Sequence, residues 1–99
     1  MNGPDRASFV IAATSLALRK GGMKICEDSI KTLSSALDAY PLAAPGDEIG
    51  PAHGRAREVL DARRAGDEAA FGAAKYALEL EMSAFWGLRA RAYASGASA

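Results

Sequence analysis

The chain has a single cysteine, Cys26, and a single histidine, His53. One thiol cannot close a disulfide within the chain. Nothing therefore points to the oxidising compartments where small folds are stapled, and a cytoplasmic setting is expected. One Cys and one His, without Glu-x-x-His or His-x-x-x-His spacing, argue against a transition-metal site, so no metal and no other cofactor is expected. Net charge is lacking too: twelve basic residues balance twelve acidic ones. No global field draws nucleic acid or an anionic membrane to such a surface. No glycine-rich loop with phosphate-binding spacing opens a helix. Long hydrophobic runs are also missing. The nearest is Phe9 to Leu18 (FVIAATSLAL), too short to span a bilayer. Asp5 precedes it, and Arg19-Lys20 follow where a signal-peptide cleavage site needs small residues. It reads as an amphipathic helix with a wide buried face.

What is present fits one globular domain over residues 1–99. The hydrophobic fraction of 49% and charged fraction of 24% argue against disorder. Alanine is abundant and arginine outnumbers lysine eight to four, which hints at a GC-rich bacterial genome.

The four prolines, Pro4, Pro41, Pro45 and Pro51, punctuate the chain. Pro4 suits a first helical turn, where its missing N–H has no intrahelical partner anyway. The first helix is expected over 5–20 and is stopped by Gly21-Gly22. The second, over 23–40, carries Met23, Cys26, Ile30, Leu33, Leu37 and Tyr40 in steps of 3 and 4, an unbroken apolar seam. Cys26 lies on that seam as a core residue. Residues 41–51 (PLAAPGDEIGP) hold three prolines and two glycines, so neither helix nor strand should persist there. The third helix is expected over 52–65 and the fourth over 67–94, with Gly66 ending one and Asp67 capping the next. Residues 95–99 bury nothing and should fray. The expected fold is all-α: a four-helix bundle-like domain of two antiparallel helical hairpins with a long C-terminal helix.

That last helix has two features a plain bundle does not require. At about 40 Å it outruns the others by roughly 15 Å. Its overhang carries Phe85, Trp86, Arg89 and Tyr93, residue types enriched at interface hot spots. Those four form the candidate interaction surface. The second feature is Glu81, which a helical wheel places inside the apolar arc among Ala77, Leu78, Ala84, Phe85 and Leu88. A carboxylate there calls for a partner, and the third helix offers Arg57, Arg63 and Arg64.

Other readings compete. AHGRARE, around His53, bears some resemblance to the helix of histidine phosphotransfer domains, which are four-helix bundles of this size with a phosphorylated histidine. Here the glycine follows directly and the histidine sits near a helix end, so no role carries over and His53 is expected at an exposed hinge. GDEAAFGAAKYALELE resembles the second helix of a tetratricopeptide repeat, which would imply an adaptor. The likeness covers one helix, and no second copy follows at a 34-residue period. Weak nucleic-acid binding would rest on Arg55, Arg57, Arg63, Arg64, Arg89 and Arg91, but Glu58 and Asp61 interrupt them.

The function expected is non-enzymatic: a small protein–protein interaction or oligomerisation module and a homodimer. Its surface would be Phe85, Trp86, Arg89 and Tyr93, or a groove beside the second helix. The rival is a ligand-binding bundle or an enzyme that uses Glu81 near an arginine.

Overall fold

The computed structural model describes residues 3–94, the side chain of Tyr93 excepted; the expected fraying of 95–99 lies outside the described residues. The fold is all-helical, with four helices and no strand among those residues: α1 (Gly3–Leu18), α2 (Glu27–Ala39), α3 (Gly50–Ala65) and α4 (Glu68–Ala94). Their packing is that of a bundle. α1 packs against both α2 and α4, α3 packs most extensively against α4, and α2 meets α3 only narrowly. No helix in this range is long and apolar enough to cross a membrane.

Each helix is bounded by local chemistry. Pro4 and Asp5 lie in the first turn of α1, and Pro51 in the first turn of α3. Gly66 closes α3 in the left-handed conformation, φ 69°, with its N–H turned back to the last carbonyls. Asp67 then caps α4, its Oδ1 accepting the Ala70 N–H at 3.0 Å.

α2 departs from the sequence reading. It begins at Glu27, and residues 23–26 form a turn. That turn is braced by another helix. The Glu68 carboxylate, at the start of α4, accepts the Met23 N–H at 3.0 Å. A Cβ on Gly22 would sit 2.5 Å from the Glu68 carboxylate, so the chain passes there without a side chain. Cys26, though outside the helix, is fully buried, and its thiol points to the Gly21 carbonyl at 3.5 Å.

One core joins all four helices. Phe9, Leu16, Leu33, Val59, Phe71 and Leu78 are among its fully buried members. Each such side chain contributes about 1.5–3 kcal/mol on burial. α4 inserts Phe71, Ala74, Leu78, Met82 and Phe85 into it, in steps of 3 and 4, so one face of this long helix is used along about four turns.

Candidate functional site

Of the predicted interaction surface, Phe85 is tied into its own bundle while Trp86 and Arg89 are exposed. Phe85 is buried rather than exposed. The Arg6 guanidinium lies 5.7 Å from its ring centroid and that of Arg89 5.5 Å, two cation–π contacts on one ring. Trp86 packs edge-on to Phe85, and its Nε1–H donates to the Thr14 hydroxyl at 3.1 Å, which itself donates to the Val10 carbonyl at 2.7 Å. Arg89 reaches Glu48 at 3.1 Å. The side chain of Tyr93 lies outside the described residues. α1 starts at Gly3, and Arg6, Thr14 and Glu48 reach α4 at Phe85, Trp86 and Arg89.

Glu81 also differs from its expected place. Its side chain is about one-third exposed, and its partner is Arg55, at 3.9 Å. Arg57 instead donates to the Pro41 carbonyl, Arg63 pairs with Glu27, and Arg64 pairs with Asp61. None of the cavities described below includes Glu81.

The most densely built polar site is the segment from Tyr40 to His53. Asp47 receives two bonds from Arg6, Nε to Oδ2 at 2.7 Å and Nη2 to Oδ1 at 2.6 Å. It also accepts the Ile49 N–H at 3.1 Å and the Tyr40 hydroxyl at 3.3 Å. The paired guanidinium holds the Asp47 carboxyl down at about 2. Burial pushes the Tyr40 phenol up. His53 is buried, not at an exposed hinge. Its ring lies 5.1 Å from that of Phe9 and 5.5 Å from that of Tyr40, and Nε2 is 2.7 Å from the Tyr40 carbonyl. A carbonyl only accepts, so Nε2 carries the proton. His53 shares a helix face with Ile49, Ala52 and Ala56, all buried, and that phase was the signal for its burial. The Arg6–Asp47 pair spans 41 residues and has no local signal.

Two clefts flank α3. The groove beside α2 is a hollow of about 250 Å³ lined by Glu27, Ile30, Leu60 and Arg63 and bridged by the Glu27–Arg63 pair. The other, of about 500 Å³, runs between α3 and α4. Alanines floor it, Ala62 and Ala65 from α3 and Ala70, Ala73, Ala74 and Ala77 from α4, while Arg55, Glu58, Asp61 and Asp67 also line it.

That groove continues into an uncovered face. Ala70, Ala73, Ala77, Leu80, Ala84, Leu88 and Arg91 follow one another in steps of 3 and 4 along α4. They make a second seam, displaced around the helix from the buried one. Six of the seven are exposed and Ala77 is partly so. Leu80 is 53% exposed and Leu88 43%. No seam position before Arg91 carries a charge, and Glu81, four residues after Ala77 and three before Ala84, lies along its flank. Tyr76, 62% exposed, stands at its edge. Among the described residues, no group of three or more His, Cys, Asp or Glu side chains is placed to hold a metal ion. Comparison with protein-family models, with curated proteins and with solved structures finds no match to this chain.

Proposed function

We propose that the protein is a non-enzymatic helical interaction module that works as a homodimer through the uncovered seam of α4. The observation that carries this reading is the exposure of Leu80 and Leu88 on an uncharged seam from Ala70 to Leu88. A helix already seated through Phe71, Leu78, Met82 and Phe85 needs no second seam for its own fold. Exposed apolar surface of this continuity marks an interaction site, and self-association in closed pairs is the commonest way to cover one. The pairing of α1 with α2 and of α3 with α4 supports reading the bundle as two antiparallel hairpins, with α4 presented along one side. The buried, unpaired Cys26 fits a reducing, cytoplasmic setting.

The test is the mass of the pure protein by light scattering over a range of concentrations, alone and as Leu80→Glu. Wild type is expected at twice the chain mass, and Leu80→Glu at the single-chain mass with an unchanged helical circular-dichroism spectrum. A wild-type monomer at every concentration sinks the homodimer.

A further inference from the structure

The seam of α4 is self-complementary when turned end for end. Its first half is small and its second half is large. Ala70, Ala73 and Ala77 floor the groove against α3, while Leu80 and Leu88 project from the outer turns. Charge follows the same division. Asp61 and Asp67 line the groove near the start of α4, and Arg91 lies on the seam near its end. Asp67 spends one carboxylate oxygen on capping the Ala70 N–H and has no ion pair; Arg91 is exposed and has no ion pair among the described residues.

An antiparallel partner brings these features into one register. When Leu88 of a second copy enters the groove at Ala70, equal spacing along two straight helices sets Ala84 of that copy opposite Ala73 and Leu80 opposite Ala77. The same spacing carries Arg91 of that copy to the level of Asp67. Every layer then matches large with small or small with small, and the ends match acid with base. A parallel partner instead sets Leu88 against Leu88 and Ala70 against Ala70, leaving the groove unfilled and Arg91 beside Arg91. Helices that interdigitate knobs into holes favour the first arrangement.

Resting on the homodimer reading above, we infer that the second copy docks antiparallel about a two-fold axis near the level of Glu79, seating Leu88 in the alanine groove at Ala70 and Arg91 by Asp67. Axis and contacts are isologous, so the assembly closes at two chains and leaves no seam open for a third.

The register is tested with two single-cysteine variants, Ala70→Cys and Leu88→Cys, oxidised separately and as an equal mixture. Both positions are exposed, so neither substitution disturbs the core. Within one chain they lie about 27 Å apart along the helix axis, far beyond the reach of a disulfide. Cys26 is fully buried and stays out of the reaction. The expected result is a covalent dimer in the mixture, carrying one chain of each variant, and little or none from either variant alone. Light scattering on wild type at the same concentration separates the outcomes. A dimer by mass that gives cross-links from each variant alone, or none in the mixture, overturns the antiparallel register and leaves self-association standing. A monomer by mass overturns both. As a second reading, Leu88→Ala is expected to weaken the dimer about 10-fold or more, and Ala70→Leu in the same chain to recover most of that loss by restoring one large side chain per layer. Failure of that rescue in a chain that remains dimeric counts against the register.

Discussion

The 40–49 segment and the α4 seam are built in opposite ways. The segment is irregular and is tied to the bundle through its polar groups, while Leu42 is 76% exposed. Every strong group in it has a partner within the chain: Asp47 with Arg6, Tyr40 and the Ile49 N–H, His53 with the Tyr40 carbonyl, and the Pro41 carbonyl with Arg57. The seam is regular, apolar and open, and its Leu80 and Leu88 lack intramolecular cover. A part-buried charge is costly unless paired, so a satisfied polar cluster is accounted for by folding alone. An exposed leucine costs the folded chain little, so folding alone does not account for a whole seam of apolar side chains, and the proposed second copy would. His53, buried with its Nε2 on the Tyr40 carbonyl, belongs to this intramolecular clasp.

The largest effect expected on this contrast comes from Phe85. It lies on α4, buried, with the guanidinium groups of Arg6 from the clasp and of Arg89 both over its ring. Phe85→Ala is expected to lower the unfolding free energy by about 3–5 kcal/mol, from lost burial, the cavity and the lost cation–π contacts. Leu80→Ala, five residues earlier on the open face, is expected to change it by no more than about 0.5 kcal/mol in dilute protein. Denaturant titration of both variants checks the pair. Equal losses would mean that the seam is already covered within the chain.

Asp47 gives the second effect, with a defined pH dependence. Its carboxyl is held at about 2 in the folded chain against an ordinary 3.8. The folded state therefore binds the proton more weakly than the unfolded one. Its contribution is fully present above the unfolded value and is lost as pH falls through about 2. With only 15% of the side chain exposed, that contribution is about 2 kcal/mol. Asp47→Asn is expected to lose most of it at pH 7 and to flatten the acid limb of the stability curve between about pH 4 and 2. Leu88→Ala is expected to leave that limb unchanged, since the seam from Ala70 to Leu88 holds no titrating group. Urea midpoints measured across this range separate the two.

How far the sequence revealed this arrangement follows from where each determinant sits. The Gly66-Asp67 turn was legible because the left-handed cap and the Asp cap act within a few residues. The buried face of α4 was legible in part, through Phe71, Leu78, Met82 and Phe85. The start of α2 was not, and the Glu68 carboxylate that braces residues 22 and 23 comes from 45 residues away. Arg6–Asp47 was hidden for the same reason. His53 was within reach, because its phase with Ile49, Ala52 and Ala56 outweighs its nearness to proline and glycine. The partner of Glu81 was also within reach. Glu81 lies well past the Gly66 turn, so its level on α3 is that of the arginine farthest before the turn, Arg55, rather than Arg57, Arg63 or Arg64.

The smallest effect belongs to Glu81, and its smallness is informative. A carboxylate inside the apolar arc would lose several kcal/mol of stability with its partner removed. The observed pair is 3.9 Å long, and both side chains are about a third or more exposed. Arg55 also donates to Glu58 at 3.1 Å, so its charge is already shared. An exposed pair of this geometry contributes about 0–1 kcal/mol. Glu81→Gln is therefore expected to shift the denaturation midpoint by less than the equivalent of about 0.5 kcal/mol and to leave the mass in solution unchanged. Glutamine keeps the shape of glutamate, so the substitution tests charge alone. A loss above about 2 kcal/mol would return Glu81 to the role of a buried, partnered carboxylate. A change of mass without a change of stability would place its charge at the interface, beside the Ala77 level of the second copy, and make it a determinant of pairing rather than of folding.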